Sequence, residues 1–382
     1  MILRLAVMLA ALLLVPAAHA QPTPPIPGEA EIPVALLVDI TSGQVLYARS
    51  PDRRFIPASV TKVMTLYTAF ELIEKGQLDP RQTLTMRDET WREWNGEGST
   101  MWIGAGDVVP VDDLLTGIAN ISANDASVLL AEGQAGSVAG WTDLMNAQAR
   151  ALGMTGSHFN TPNGWPDDGA TFTTASDLVR LAEALLRRHP SKYAHYIGRP
   201  GFEYNGIAQI NHDPMIGVVR GADGIKTGHT NEAGYTYLGT AKRGGQRLVL
   251  VIAGAEGYGL RRQAARAFIE WGFDAFERER LFDKGALVGN VRVQGGSART
   301  VALKTDRQVF VNVPKGREAE LKLSISYDGP LRAPFAAGEE VATLVVEVPG
   351  REPAQVPLLA AEGVEEAGFF ARIANAFARW LT

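Results

Sequence analysis

The sequence predicts an α/β protein. An antiparallel sheet with flanking helices and a helical insert is followed by a small all-β domain and a C-terminal amphipathic helix. Three observations carry this reading. Two hairpin-like pairs of apolar segments lie far apart in the chain, the region between them has helical spacing, and after about Arg280 the pattern changes to short alternating strands.

The elements follow in order. Arg4, the apolar run Leu5 to Val15 and the small-x-small step Ala18-His19-Ala20 read as a cleaved export signal over 1–20, too short to span hydrocarbon, with the mature chain beginning at Gln21. Gln21 to Gly28 holds four prolines and reads as an extended lead-in. Ile32 to Ile40 and Val45 to Ala48, broken by Thr41-Ser42-Gly43, form a first hairpin. Helical spacing follows at Val63, Leu66, Phe70 and Ile73, then over Leu144 to Leu152 and Ala175 to Leu186. Gly234 to Ala241 and Arg247 to Ala253, around Gly244-Gly245, give the second hairpin, and a helix over Arg262 to Phe276 closes a first domain spanning 21–279.

Short strands at Thr300 to Leu303, Val309 to Val313, Leu321 to Ile325 and Ala342 to Val348 place a β-rich domain over 280–361. In 362–382, helical spacing puts Phe369, Phe370, Ile373, Phe377, Trp380 and Leu381 on one face, with Arg372, Asn375 and Arg379 elsewhere. That pattern predicts a helix lying on a membrane surface and a peripheral protein on the outer side of the cytoplasmic membrane.

Composition removes whole classes of function. The 46% hydrophobic and 21% charged content of 382 residues is that of a globular chain. A net charge of −5 with no basic run gives nucleic acid no electrostatic footprint. The absence of cysteine excludes disulfides, cysteine-ligated metal and thiol nucleophiles, leaving serine, threonine, lysine and carboxylates for chemistry.

Ser59 and Lys62 stand three apart at the start of a helix, so their side chains share a face. A serine hydroxyl is a poor nucleophile until a base takes its proton, and a lysine serves when burial or a neighbouring cation lowers its pKa. Ser122-Ala123-Asn124 sits between apolar stretches, and Lys226-Thr227-Gly228 lies just before a predicted strand, where an edge strand could present it to an extended substrate. Each alone is noise at this length. Together, S-x-x-K, S-x-N and K-T-G in this order in an exported chain match the signature set of penicillin-binding proteins and class A β-lactamases, with Ala123 where those lactamases carry Asp.

On these residues the chain resembles the D-alanyl-D-alanine carboxypeptidases, low-molecular-mass penicillin-binding proteins. Asp223 to Thr230 is similar to the family's extended K-T-G segment, and Asn160 to Gly164 with Thr174 to Leu178 to its loop and helix after S-x-N. The resemblance implies a β-lactamase-like catalytic fold. It implies a substrate ending in D-Ala-D-Ala, from a peptidoglycan stem peptide, β-lactams as inhibitors, and no metal or cofactor. It also implies roles: Ser59 the acylated nucleophile, Lys62 its base, Ser122 a proton relay, Asn124 a partner of Lys62 or substrate, and Lys226 the site's charge, orienting Ser122. Thr227 and Arg261 would receive the substrate carboxylate, and the backbone N–H groups of Ser59 and His229, the latter after Gly228, would form the oxyanion hole.

A β-lactamase reading needs a deacylating glutamate after S-x-N. The glutamates between Asn124 and Lys226 are Glu132, Glu183 and Glu203, none of them in 161–173. An endopeptidase or transpeptidase with the same motifs stays open, as does a non-catalytic peptidoglycan-binding scaffold.

Overall fold

The computed structural model describes residues 25–316 and 321–368. The leader read over 1–20 and the stripe from Phe369 onward lie outside them.

The hairpin strands β1 (Val34–Asp39) and β2 (Gln44–Arg49) join three later strands, β3 (Ala222–Thr230), β4 (Gly234–Arg243) and β5 (Gln246–Ala255), in an antiparallel sheet of order β2-β1-β5-β4-β3. The middle strands read as continuous apolar runs because both faces are covered. Alternate residues of a strand point to opposite faces, so Leu36 and Val38 enter one core with Val63 and Leu66 of helix α1 (Lys62–Glu74). Ala35 and Leu37 enter the other with Phe268 and Ile269 of the closing helix, Tyr258–Asp274. Each fully buried large side chain contributes about 1.5–3 kcal/mol. Between β2 and β3 lies the helical insert, including α2 (Val111–Asn120), α3 (Asn124–Ala135), α4 (Val138–Ala151) and α5 (Ala175–Arg188). The expected antiparallel sheet with a helical insert is present. The K-T-G segment lies within the edge strand β3 itself rather than ahead of a strand.

The second unit is a six-stranded sheet and a two-stranded ladder pairing Phe276–Phe282 with Val309–Pro314. Two sequence readings are corrected here. The boundary at 279/280 cuts through the strand Phe276–Phe282, whose ladder partner belongs to the second unit; this strand follows a helix without a Gly or Pro break, so no composition shift marks it. The amphipathic helix cannot begin at Glu362. Val364 pairs with Phe335 and Glu366 with Gly296 as extended bridges, and Val364 and Ala367 are buried in the β unit. The backbone here is held by bonds such as Ala367 N–H to the Gly295 carbonyl at 2.8 Å, and the stripe that marks the helix begins only at Phe369. No helix among the described residues is long and apolar enough to cross a membrane.

Candidate active site

A 3-10 turn, Ala58–Thr61, runs into α1 and carries Ser59 at its start, with Ala58 held at φ 50°. The three-residue spacing brings Lys62 Nζ to 3.0 Å from Ser59 Oγ. Two other contacts complete the surroundings of Nζ: Asn124 Oδ1 and the Asn163 carbonyl, each at 2.7 Å. The Asn124 amide is oriented by its Nδ2, which donates to the Glu97 carbonyl at 2.9 Å. Both oxygens can only accept, so each takes an N–H from the lysine. An uncharged amine has two N–H groups and one lone pair, and the lone pair is left facing the serine hydroxyl.

Electrostatics favour that neutral form. Lys62 is fully buried, and burial first and the neighbouring Lys226 second hold its pKa well below the ordinary lysine value, with Asp125 opposing. Lys226, equally buried, is brought down to about 7 by burial and by Arg261.

These groups meet at one cleft of about 490 Å³. Ser59, Ser122, Asn124, Thr227, Gly228, His229 and Arg261 line it, while Lys62 and Lys226 lie beneath its floor. Ser122 is held at φ 65° between α2 and α3. The Arg261 guanidinium sits 5.4 Å from the ring of Tyr235 and 5.1 Å from that of Tyr258. His229 stacks on Tyr235 at 4.0 Å, which accounts for its side chain as packing. Lys226 Nζ donates to the Thr227 carbonyl at 2.9 Å, and no hydrogen bond from it to Ser122 is present among the described residues. Folded back on its own strand under the floor, its ammonium acts on the cleft through its charge.

Close approach explains two glycines. A Cβ on Gly228 would lie 2.6 Å from the Pro57 carbonyl oxygen and 3.1 Å from Ser59 N, so a bare residue lets β3 press on the nucleophile's turn. Gly164, at φ 74°, would place a Cβ 1.9 Å from the Ala58 carbonyl oxygen. The segment Asn160 to Gly164 thus braces Ser59 from one side and Lys62, through Asn163, from below. Sequence reasoning assigned no role to Asn163, whose contribution is a backbone carbonyl and leaves no side-chain signal. It also missed Asp125, buried next to the S-x-N asparagine, whose carboxylate accepts the N–H groups of Met101 at 3.1 Å and Ile103 at 3.2 Å. Asn124 N–H adds a bond to the Ser99 carbonyl at 2.7 Å. The S-x-N segment therefore holds a stretch of the cleft wall as well as supplying side chains.

The comparisons agree with this construction. A family model described as D-alanyl-D-alanine carboxypeptidase matches residues 19–257, and one described as the C-terminal domain of penicillin-binding protein 5 matches 276–366. The chain is 33% identical over 355 residues to the D-alanyl-D-alanine carboxypeptidase DacA of Escherichia coli, covering 91% of this chain and 88% of the relative. It is 31% identical to the protein of the same name from Haemophilus influenzae, covering 88% and 86%. Among solved structures, penicillin-binding protein 5 from Haemophilus influenzae superposes with a TM-score of 0.77 at 30% identity over 91% of this chain and all of that one. Penicillin-binding protein D2 from Listeria monocytogenes, in its ampicillin-bound form, superposes with a TM-score of 0.58 at 28% identity over 64% of this chain and 98% of that one. Matched over both of its units, with a serine and a lysine in contact at the cleft floor, the chain belongs to the D-alanyl-D-alanine carboxypeptidase family of serine peptidases.

Proposed function

We propose that this chain removes the terminal D-alanine from peptidoglycan stem peptides through an acyl-enzyme on Ser59. The observation that carries the proposal is the hydrogen-bond set of Lys62, which leaves its lone pair for the Ser59 hydroxyl. Ser59 Oγ attacks the carbonyl carbon of the bond between the two terminal D-alanines while its proton passes to Lys62 Nζ, a general-base contribution of about 10²–10⁴-fold. The N–H groups of Ser59, at the start of a helical turn, and of His229 receive the oxyanion. The proton reaches the departing amine through Ser122, the C–N bond breaks, and D-alanine leaves. Water then cleaves the ester with Lys62 as base, releasing the shortened peptide and free Ser59. Arg261 and Thr227, with the charge of Lys226 beneath, hold the substrate's terminal carboxylate; Asn124 keeps Lys62 in place. Penicillin, a strained amide beside a carboxylate, enters the same cleft and acylates Ser59.

Mass analysis of products from a soluble stem pentapeptide tests this: loss of one alanine supports it. Transfer to an acceptor amine, or cleavage only of cross-linked peptides, would make the chain a transpeptidase or endopeptidase, and no turnover with no penicillin adduct would make it a scaffold.

The export leader and the apolar residues beyond Gly368 support work on the envelope side of the membrane, with Phe369, Phe370, Ile373, Phe377, Trp380 and Leu381 attaching the protein peripherally. Because 362–368 belongs to the β unit, truncation from Phe369 is the clean test. Release of the truncated protein from sedimented membranes supports attachment, and continued sedimentation contradicts it.

A further inference from the structure

The chemistry above occupies one cleft and leaves a larger cavity without a task. That cavity measures about 800 Å³ against about 490 Å³ for the cleft, and the two share no lining residue. Its size is that of a small-molecule site. The walls come from both units: the catalytic unit supplies Ile40 after β1, the end of α5, the helix Pro190–Tyr196 and the β4–β5 turn, and the second unit supplies Arg307. Arg307 stands two residues ahead of the strand Val309–Pro314, whose Asn312 bonds Asp39 and Gln44 of the catalytic unit. The contact that joins the units therefore also brings this arginine to the cavity.

The lining combines apolar side chains with cations. Ile40, Leu186, Tyr193 and Ile197 supply hydrocarbon, while Arg187, Lys242, Arg247 and Arg307 face a single lining carboxylate, Asp223. Two of the cations are committed. Arg247 holds both oxygens of Asp223, at 2.9 and 2.8 Å, and Arg187 bonds Glu183 at 2.8 Å and the Ile40 carbonyl at 3.0 Å. The other two are not. Among the described residues Lys242 makes no ion pair, and Arg307, with its side chain only 29% exposed, has just Asp306 at 3.6 Å, beyond hydrogen-bond length. A guanidinium drawn partly out of water without an acceptor gains when an anion arrives, and apolar walls gain when hydrocarbon covers them. An inorganic anion would leave the apolar walls wet, and an uncharged hydrocarbon would leave the cations unmatched.

We propose that this cavity is a second binding site, separate from the catalytic cleft, for a small organic anion with an apolar body. Lys242 and Arg307 receive its phosphate or carboxylate, and Ile40, Leu186 and Ile197 cover the body. The site stands whether or not the carboxypeptidase reading does.

The test is calorimetric titration of the full-length protein with phenyl phosphate, benzoate, inorganic phosphate and benzylamine. It is repeated after acylation with benzylpenicillin and removal of the free drug, which closes the catalytic cleft. Saturable one-site binding of phenyl phosphate or benzoate at about 1 mM or tighter is expected, unchanged by acylation. The tighter of the two identifies the anion. Lys242→Gln and Arg307→Gln should each raise its Kd about tenfold without lowering Tm. Should Arg307→Gln disturb the junction and lower Tm, Lys242→Gln, at an exposed position, decides alone. The inference is overturned if neither aromatic anion saturates, if benzylamine or inorganic phosphate binds as tightly, if acylation abolishes binding, or if Kd is unchanged in either stable variant.

Discussion

A buried polar cluster under the cleft contrasts with another between the two units. At the interface, the fully buried Asp39 side chain is surrounded by donors. Thr41 N–H bonds it at 2.8 Å, Gln246 Nε2 at 3.1 Å and Asn312 Nδ2 at 2.7 Å. Asn312, from the second unit's ladder, also donates its backbone N–H to Gln44 Oε1 and receives Gln246 Nε2 at 3.1 Å on its own oxygen. Acceptors and donors are matched, as a structural network requires. Under the cleft the balance tips toward cations. Lys62, Lys226 and Arg261 lie close together against the two buried acids Asp125 and Asp213, Arg261 Nε has no hydrogen-bond partner among the described residues, and Ala58 and Ser122 hold positive φ. A matched cluster resists change; an unmatched one has its chemistry still to be completed by a ligand carrying a carboxylate and a carbonyl.

Changes at the two clusters should therefore fail differently. Lys62→Ala gives the largest effect, a fall of about 10³-fold in the rate of Ser59 acylation with the fold retained, read by stopped-flow with labelled penicillin. Asn312→Ala comes next and acts on stability. It strips a donor from buried Asp39 and should cost about 2 kcal/mol, lowering Tm while peptide hydrolysis by the folded protein is unchanged. Loss of hydrolysis at full stability would show that the units communicate through that interface.

Replacing Lys226 by Met has a subtler signature. The base must be neutral, so acylation declines as pH falls through the pKa of Lys62. Removing the second cause of that low value lets the pKa rise, so the acidic limb of the rate profile should move to higher pH. An unmoved limb would show that the two ammonium groups do not interact. The smallest effect is expected of Ala123→Gly, between the two S-x-N side chains: under about 1 kcal/mol of stability and little change in acylation.

How much of this was legible depended on where the information sits. Side-chain chemistry at fixed spacing was readable: the S-x-x-K, S-x-N and K-T-G residues were found, and the structure gathers them. The hairpins were readable because apolar runs broken by Gly-rich turns leave a local signal. What a residue contributes through its backbone was not. The Asn163 carbonyl, the close approach at Gly164 and the strand beginning at Phe276 depend on distant partners. The start at Glu362 misled because the stripe that marks the helix begins only at Phe369, and no local signal shows that 362–368 bonds into the β unit. The bond from Lys226 to the Thr227 carbonyl on its own strand likewise leaves no side-chain signal.

The central claim is that Ser59 is the nucleophile and Lys62 its uncharged base. It is tested most directly by digesting the penicillin-labelled protein and locating the adduct by mass spectrometry, for the wild type and Lys62→Ala side by side. The account predicts one label per chain, on Ser59, in the wild type, and almost none in the variant over the same interval. Label on a different serine, or equal labelling of the two proteins, would contradict it.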